Sequence, residues 1–196
     1  MKTYDDAVTF HGHSCPGLAI GYRVSLRVLK EFGGKSAEDE EVVAIVENSS
    51  CAVDAVQVLT GCTFGKGNLI YRDYGKQVYT FMKRSSGESI RIAVNLRKLP
   101  ESAEDKKMWG RYIKGDRTKT VLKHVHDRRA AKLRYILESA DKELMRVRKV
   151  NIMLPPEAHI YKSLTCELCK EQMMEPRARI MDGMTICLPC FERLGS

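Results

Sequence analysis

Four of the seven cysteines stand as Cys166-x-x-Cys169 and Cys187-x-x-Cys190, with 17 residues between the pairs. Each CxxC turn presents two sulfurs on one side, and tetrahedral zinc accepts four thiolates at about 2.3 Å. A stretch of about 30 residues cannot bury enough apolar surface to fold alone, so the ion must supply the folding energy. The spacing predicts a hairpin built from Met173–Ile180 and Met184–Ile186, turning at Asp182-Gly183. A helix over Leu188–Leu194 follows the last pair. Knuckle, hairpin and ligand-bearing helix make a treble-clef zinc finger.

The other three cysteines, Cys15, Cys51 and Cys62, lie in the first third of the chain, close in sequence to His11 and His13. An odd total argues against a complete disulfide framework. With no apolar leader at residues 1–6 and no segment of ~18 apolar residues, the chain is expected in the cytoplasm and off the membrane. Thiols stay reduced there and CxxC pairs bind metal more often than they cross-link. His11-Gly12-His13-Ser14-Cys15-Pro16 places two imidazoles and a thiol just before a helix start, where Pro16 suits the first helical position. Cys15 and Cys51 both fall at expected helix N-termini, whose positive dipole end favours a thiolate. Imidazole plus thiolate is a borderline-soft set for Zn²⁺ or Fe²⁺. Three protein ligands with an open fourth position would make a catalytic site. The candidate core ligands are His11, His13, Cys15, Cys51 and Cys62, and Cys51, Cys15 and His13 are the catalytic candidates. Either imidazole, or both, can face the ion. Asp54 and Gln57 are placed to orient ligands from behind.

The rest of the pattern is mixed α and β. Residues 3–10 read as a short helix, and Leu18, Tyr22, Leu26 and Leu29 recur at helical spacing up to Gly33-Gly34. Val42–Val46 is a β-branched run expected to be buried on both faces. Ser49 and Ser50 offer N-caps for a helix over Cys51–Thr60. Gly65-Lys66-Gly67-Asn68 reads as a tight turn before a short strand at Leu69–Tyr71, or as a cradle for an anion. Gln77–Lys83 and Ser89–Asn95 form a hairpin. Helices are expected over 101–114 and 117–142 and a last strand over Met145–Ile152. Leu154-Pro155-Pro156 is the linker, dividing a core domain, 1–154, from the zinc module, 155–196.

Charge is uneven. Residues 97–149 hold 17 Lys and Arg against 8 Asp and Glu, more than the whole chain's net +8. Interspersed acids and the lack of an aromatic ladder favour a solvated helix face over a nucleic-acid surface.

The run His11-Gly12-His13-Ser14-Cys15-Pro16-Gly17-Leu18-Ala19-Ile20-Gly21-Tyr22-Arg23 resembles the opening motif of the FmdE family, which takes its name from formylmethanofuran dehydrogenase. Cys51-Ala52-Val53-Asp54-Ala55-Val56-Gln57 and Thr60-Gly61-Cys62-Thr63-Phe64-Gly65-Lys66-Gly67-Asn68-Leu69 resemble its second motif. The resemblance implies a thioredoxin-like α+β core, a mixed sheet of about five strands flanked by helices, and an appended treble-clef zinc finger. It further implies a core metal centre at the positions of His11, His13, Cys15 and Cys51, with Cys62 in the Gly-rich loop. The family is named for its association with a molybdenum or tungsten enzyme of methanogenesis. No cysteine spacing of the ferredoxin type is present. The expectation is a zinc metalloprotein with one structural zinc and a second metal, zinc by preference, in the core. A second copy of the chain, as a homodimer, and components of an oxidoreductase complex are the expected partners. The alternatives are a nucleic-acid-binding zinc protein and a non-catalytic interaction component of an oxidoreductase complex.

Overall fold

The computed structural model describes residues 2–96 and 101–195. These divide into two compact units, Met1–Glu157 and Ala158–Ser196. The first four residues of the basic block, 97–100, lie outside the described residues.

In the first unit a five-stranded mixed sheet is overlaid by helices. The strands are β1 (Val42–Val46), β2 (Leu69–Tyr71), β3 (Val78–Lys83), β4 (Ser89–Val94) and β5 (Met145–Lys149). Their order is β2-β1-β3-β4-β5, with β1 and β2 parallel and every other pair antiparallel. All five residues of β1 are buried, as its β-branched run predicts. Ala44 and Val46 face the helices together with Tyr79, Phe81, Ile90 and Ile92. Val43 and Ile45 face the other way and pack with Met82 and Leu154.

The helices are α1 (Tyr4–His11), α2 (Pro16–Phe32), α3 (Ala52–Thr60), α4 (Ala103–Ile113), α5 (Lys119–Glu138) and the single turn α6 (Asp141–Leu144). Thr3 and Asp6 form a reciprocal capping box at the start of α1, and Gly12 ends it with φ 91°. Only a residue without Cβ takes that conformation at no steric cost. Cys15 caps α2 by accepting the Leu18 N–H, with Pro16 inside the first turn. At α3 the expected serine caps are corrected. Cys51 takes the cap position with no side-chain bond, and the Ser50 hydroxyl turns back to donate to Asn48 Oδ1.

Helix 117–142 is shorter than expected, because α5 stops at Glu138. Arg23 of α2 donates to the carbonyls of Ile136, Leu137 and Ser139 and to the Asp141 carboxylate. A guanidinium at a helix C-terminus satisfies carbonyls that the helix itself leaves open. The Gly-rich loop is a tight turn. Asn68 Oδ1 accepts the Thr63 N–H, its amide donates to the Asp39 and Val42 carbonyls, and Lys66 reaches Ala37 and Glu38. Its polar groups are used in tying the chain together. The Pro155 and Pro156 carbonyls are gripped by Arg84, which holds the proline pair within the first unit.

In the second unit, β6 (Ser163–Thr165) pairs with β7 (Gln172–Met174), and β8 (Ala178–Met181) with β9 (Met184–Cys187). The long strand expected over Met173–Ile180 is therefore two strands. The 3₁₀ turn Glu175–Arg177 separates them, and Pro176 within it has no N–H to continue a ladder. Asp182 and Gly183 make the predicted turn, both at positive φ. Helix α7 (Leu188–Gly195) follows.

Candidate metal centres

Cys166, Cys169, Cys187 and Cys190 converge, their sulfurs all within 4.8 Å of one another. The knuckle forms because Lys170 adopts φ 65° and donates its N–H to the Cys166 carbonyl. Cys187 N–H donates to Cys166 Sγ at 3.4 Å. Desolvation opposes ionisation at Cys166, yet the amides of Cys169, Cys187 and Leu168 bring its thiol down to about 6. Crowding acts the other way at Cys190, whose thiol is raised by the Cys187 sulfur and by desolvation. Four thiolates this close need a shared cation, and the all-sulfur tetrahedral set suits zinc.

The second cluster lies in the first unit. Helix α1 delivers His11, the left-handed Gly12 reverses the chain, and Cys15 opens α2. The ligand atoms of His11, His13 and Cys15 all lie within 4.8 Å of one another. The imidazole rings are 4.5 Å apart between centroids. Tyr4 steadies the loop through the Ser14 hydroxyl at 3.0 Å and the Cys15 carbonyl. Asp54 Oδ2, from the first turn of α3, is 2.6 Å from His11 Nδ1. With Nδ1–H donated to that carboxylate, Nε2 carries its lone pair towards Cys15 Sγ, 3.9 Å away. A carboxylate behind a ligating imidazole fixes tautomer and ring orientation, as in metal-binding histidines generally. This donor set fits zinc or iron(II).

Cys51 adjoins the cluster. A Cβ placed on Gly17 would lie 3.7 Å from Cys51 Sγ and 3.8 Å from Cys15 Sγ, so both sulfurs flank that glycine. Desolvation raises the Cys51 thiol, and the neighbouring Cys15 sulfur adds to the effect.

Cys62 does not join them. Its side chain is fully buried, its thiol donates to the Val42 carbonyl, and desolvation pushes it up to about 11. It follows the C-terminal end of α3, whereas Cys51 precedes the N-terminal end, ~13 Å away along the helix. Gln57 also has a different task from the expected one, accepting the Phe64 N–H.

Two residues that sequence reasoning left in the basic block reach this site. His126 and Arg129 of α5 line the same cleft as His13, Cys15 and Cys51. No local pattern marks them, since only the packing of α5 on α2 brings them there.

Residues 10–146 match the model of a family described as FmdE, Molybdenum formylmethanofuran dehydrogenase operon. The chain belongs to the FmdE family. Residues 159–194 match the prokaryotic dksA/traR C4-type zinc finger, so the four C-terminal cysteines are a zinc site for one ion. A protein of Archaeoglobus fulgidus named "Probable S-adenosyl-L-methionine-binding protein" is 31% identical over 197 residues, covering 94% of this chain and 51% of that protein. The chain thus spans about half the length of that curated relative. A solved structure of a tungsten formylmethanofuran dehydrogenase (FmdE)-like protein from Syntrophus aciditrophicus shares the fold. Its TM-score is 0.62 at 24% identity, over 95% of this chain and 89% of that one. The mixed five-stranded sheet with flanking helices agrees with the expected fold. Among the described residues no helix is long and apolar enough to cross a membrane.

Proposed function

We propose that the first unit carries a metal–thiol centre, held by His11, His13 and Cys15 with the Cys51 thiol beside it, and that the zinc finger is a structural appendage. The observation that supports this most is the Asp54–His11–Cys15 alignment, in which a carboxylate directs an imidazole nitrogen at a thiol, with His13 close by. Bound there, zinc or iron(II) would supply Lewis-acid activation of a small ligand. The protein's own part is to hold His11 in one tautomer, keep the Cys15 sulfur at the head of α2, and set a second thiol within reach. A reducing cytoplasm suits such thiols. Family membership makes an oxidoreductase complex the natural setting, with a homodimer as the default assembly.

Metal analysis of the full-length chain tests the reading. The expected content is one tightly held zinc and one ion that a chelator removes readily. Cys15→Ser and His11→Ala should lose the labile ion and keep the tight one. A full metal complement in both variants overturns the core centre.

A further inference from the structure

Between the loop bearing the His and Cys donors and the outer helix α5 lies a cleft of about 550 Å³, a size typical of small-ligand sites. His13, Cys15 and Cys51 line it from the α2–α3 side, and His126 and Arg129 from α5. Most cations nearby are already paired: Arg128 with Glu101, Lys123 with Asp127, and Arg111 with Asp116. Arg129 differs. Among the described residues its contacts are aromatic, with its guanidinium carbon 5.5 Å from the Tyr112 ring centroid and 6.0 Å from that of Trp109. Those rings stack on each other at 5.5 Å. Flat aromatic contact orients a guanidinium and leaves its N–H fork available for a carboxylate or phosphate. An adjoining hollow of about 350 Å³ shares Pro16 and Arg129 and adds Lys132. The first turns of α2 and α3 meet at the same cleft, where Gly17 touches Cys51, and both present the positive end of a helix dipole.

We propose that this cleft binds a small organic anion, its carboxylate or phosphate seated on Arg129 and its body against Cys15 and Cys51. This identifies the substrate class of the metal–thiol centre and rests on that reading for any reaction the anion undergoes. A cleft of a few hundred cubic ångströms, cationic at one wall and sulfur-bearing at the other, sorts ligands by having an anionic head a fixed reach from a soft, reactive end.

Competitive alkylation tests it. Iodoacetate and iodoacetamide both form an S–CH₂ bond at a thiolate and release iodide, but only iodoacetate carries a carboxylate. The native full-length chain is treated with each, and labelling is read thiol by thiol by peptide mass spectrometry. At Cys51 or Cys15 the iodoacetate-to-iodoacetamide rate ratio should exceed that of glutathione under the same conditions by about tenfold, and the excess should saturate. Inorganic phosphate and malonate are the competitors, and the stronger one tells a phosphate from a carboxylate site. Arg129→Gln should return the ratio to that of glutathione. Arg129→Lys should keep most of it, and Arg134→Gln on the same helix all of it. Calorimetric titration of malonate and phosphate into the same variants gives the answer where a bound ion shields the thiols. A glutathione-like ratio together with no anion binding in the native chain overturns the proposal, as does an excess that survives Arg129→Gln. Metal content measured on the same samples separates the two readings. A chain without the labile ion but with an Arg129-dependent excess refutes the metal centre and supports the anion site. A metal-loaded chain with neither excess nor anion binding does the reverse.

Discussion

Gly21→Ala should damage the fold and the core site together. Helix α2 crosses the start of α3 at Gly21, and a Cβ there would lie 2.0 Å from the Ala52 carbonyl oxygen and 2.7 Å from its Cα. Those are backbone atoms of a fully buried residue, so no flexible side chain can swing aside. Ordinary contact requires the first turn of α3 to retreat by more than ~1 Å. That strain costs about 3 kcal/mol, the upper end of the usual overpacking range. In a unit of this size it lowers Tm by roughly 6–12 °C. The same turn carries Asp54, so its retreat stretches the 2.6 Å contact with His11, and affinity for the labile ion should fall about tenfold or more. Thermal unfolding by circular dichroism and metal content by mass spectrometry read the two effects. The zinc of the C-terminal unit should be unaffected. Gly110→Ala on α4 is the control, since a Cβ there meets nothing within 4 Å, and it should stabilise that helix by about 0.5–1 kcal/mol. If Gly21→Ala melts with the native protein and keeps its full metal content, the close crossing is not what positions α3.

Asp54→Asn removes the carboxylate behind His11 and should weaken the labile ion about 10–100-fold, measured by chelator competition, with Tm nearly unchanged. Acid should weaken α4 in a defined window. The Ser102 backbone N–H and hydroxyl, then His124, hold the Asp105 carboxyl down to about 2 from 3.8. Folding favours its ionised form, so its stabilisation is complete above the unfolded value and disappears as pH falls through about 2. Thermal unfolding from about pH 2 to 5 should show that slope in the native chain and a flatter one in Asp105→Ala. Cys190→Ser should release the tight zinc and unfold the second unit, seen as lost metal and lost ellipticity, while the Met1–Glu157 unit keeps its own transition.

Much of this architecture was legible because its causes are local. The buried strand Val42–Val46 declares itself by five consecutive apolar residues, and Pro16 marks a helix start. The two CxxC pairs specify a zinc fold through spacing alone. His11, His13 and Cys15 lie so close in sequence that one left-handed residue, Gly12, suffices to gather them. Errors arose where a residue's role depends on a distant partner. Ser50 looks like a cap, but its hydroxyl has a better acceptor in Asn48. Helix α5 looks longer than it is, because Arg23, far earlier in the chain, takes its last carbonyls. Cys62 resembles Cys51 in composition and setting, yet the two sit at opposite ends of one helix.

From the sequence came the donor chemistry: which sulfurs and imidazoles are available, and which of them short loops must bring together. Tertiary packing alone settled what surrounds those donors. It put the Asp54 carboxylate behind His11 across 43 residues, sealed Cys62 in the apolar core, and swung α5 over the thiols so that Arg129 lines their cleft. Short-range spacing is written in the backbone's own geometry. A contact between elements far apart in the chain exists only after apolar faces have docked, and the same surface pattern on α5 would serve a solvated helix or the wall of a binding cleft equally well.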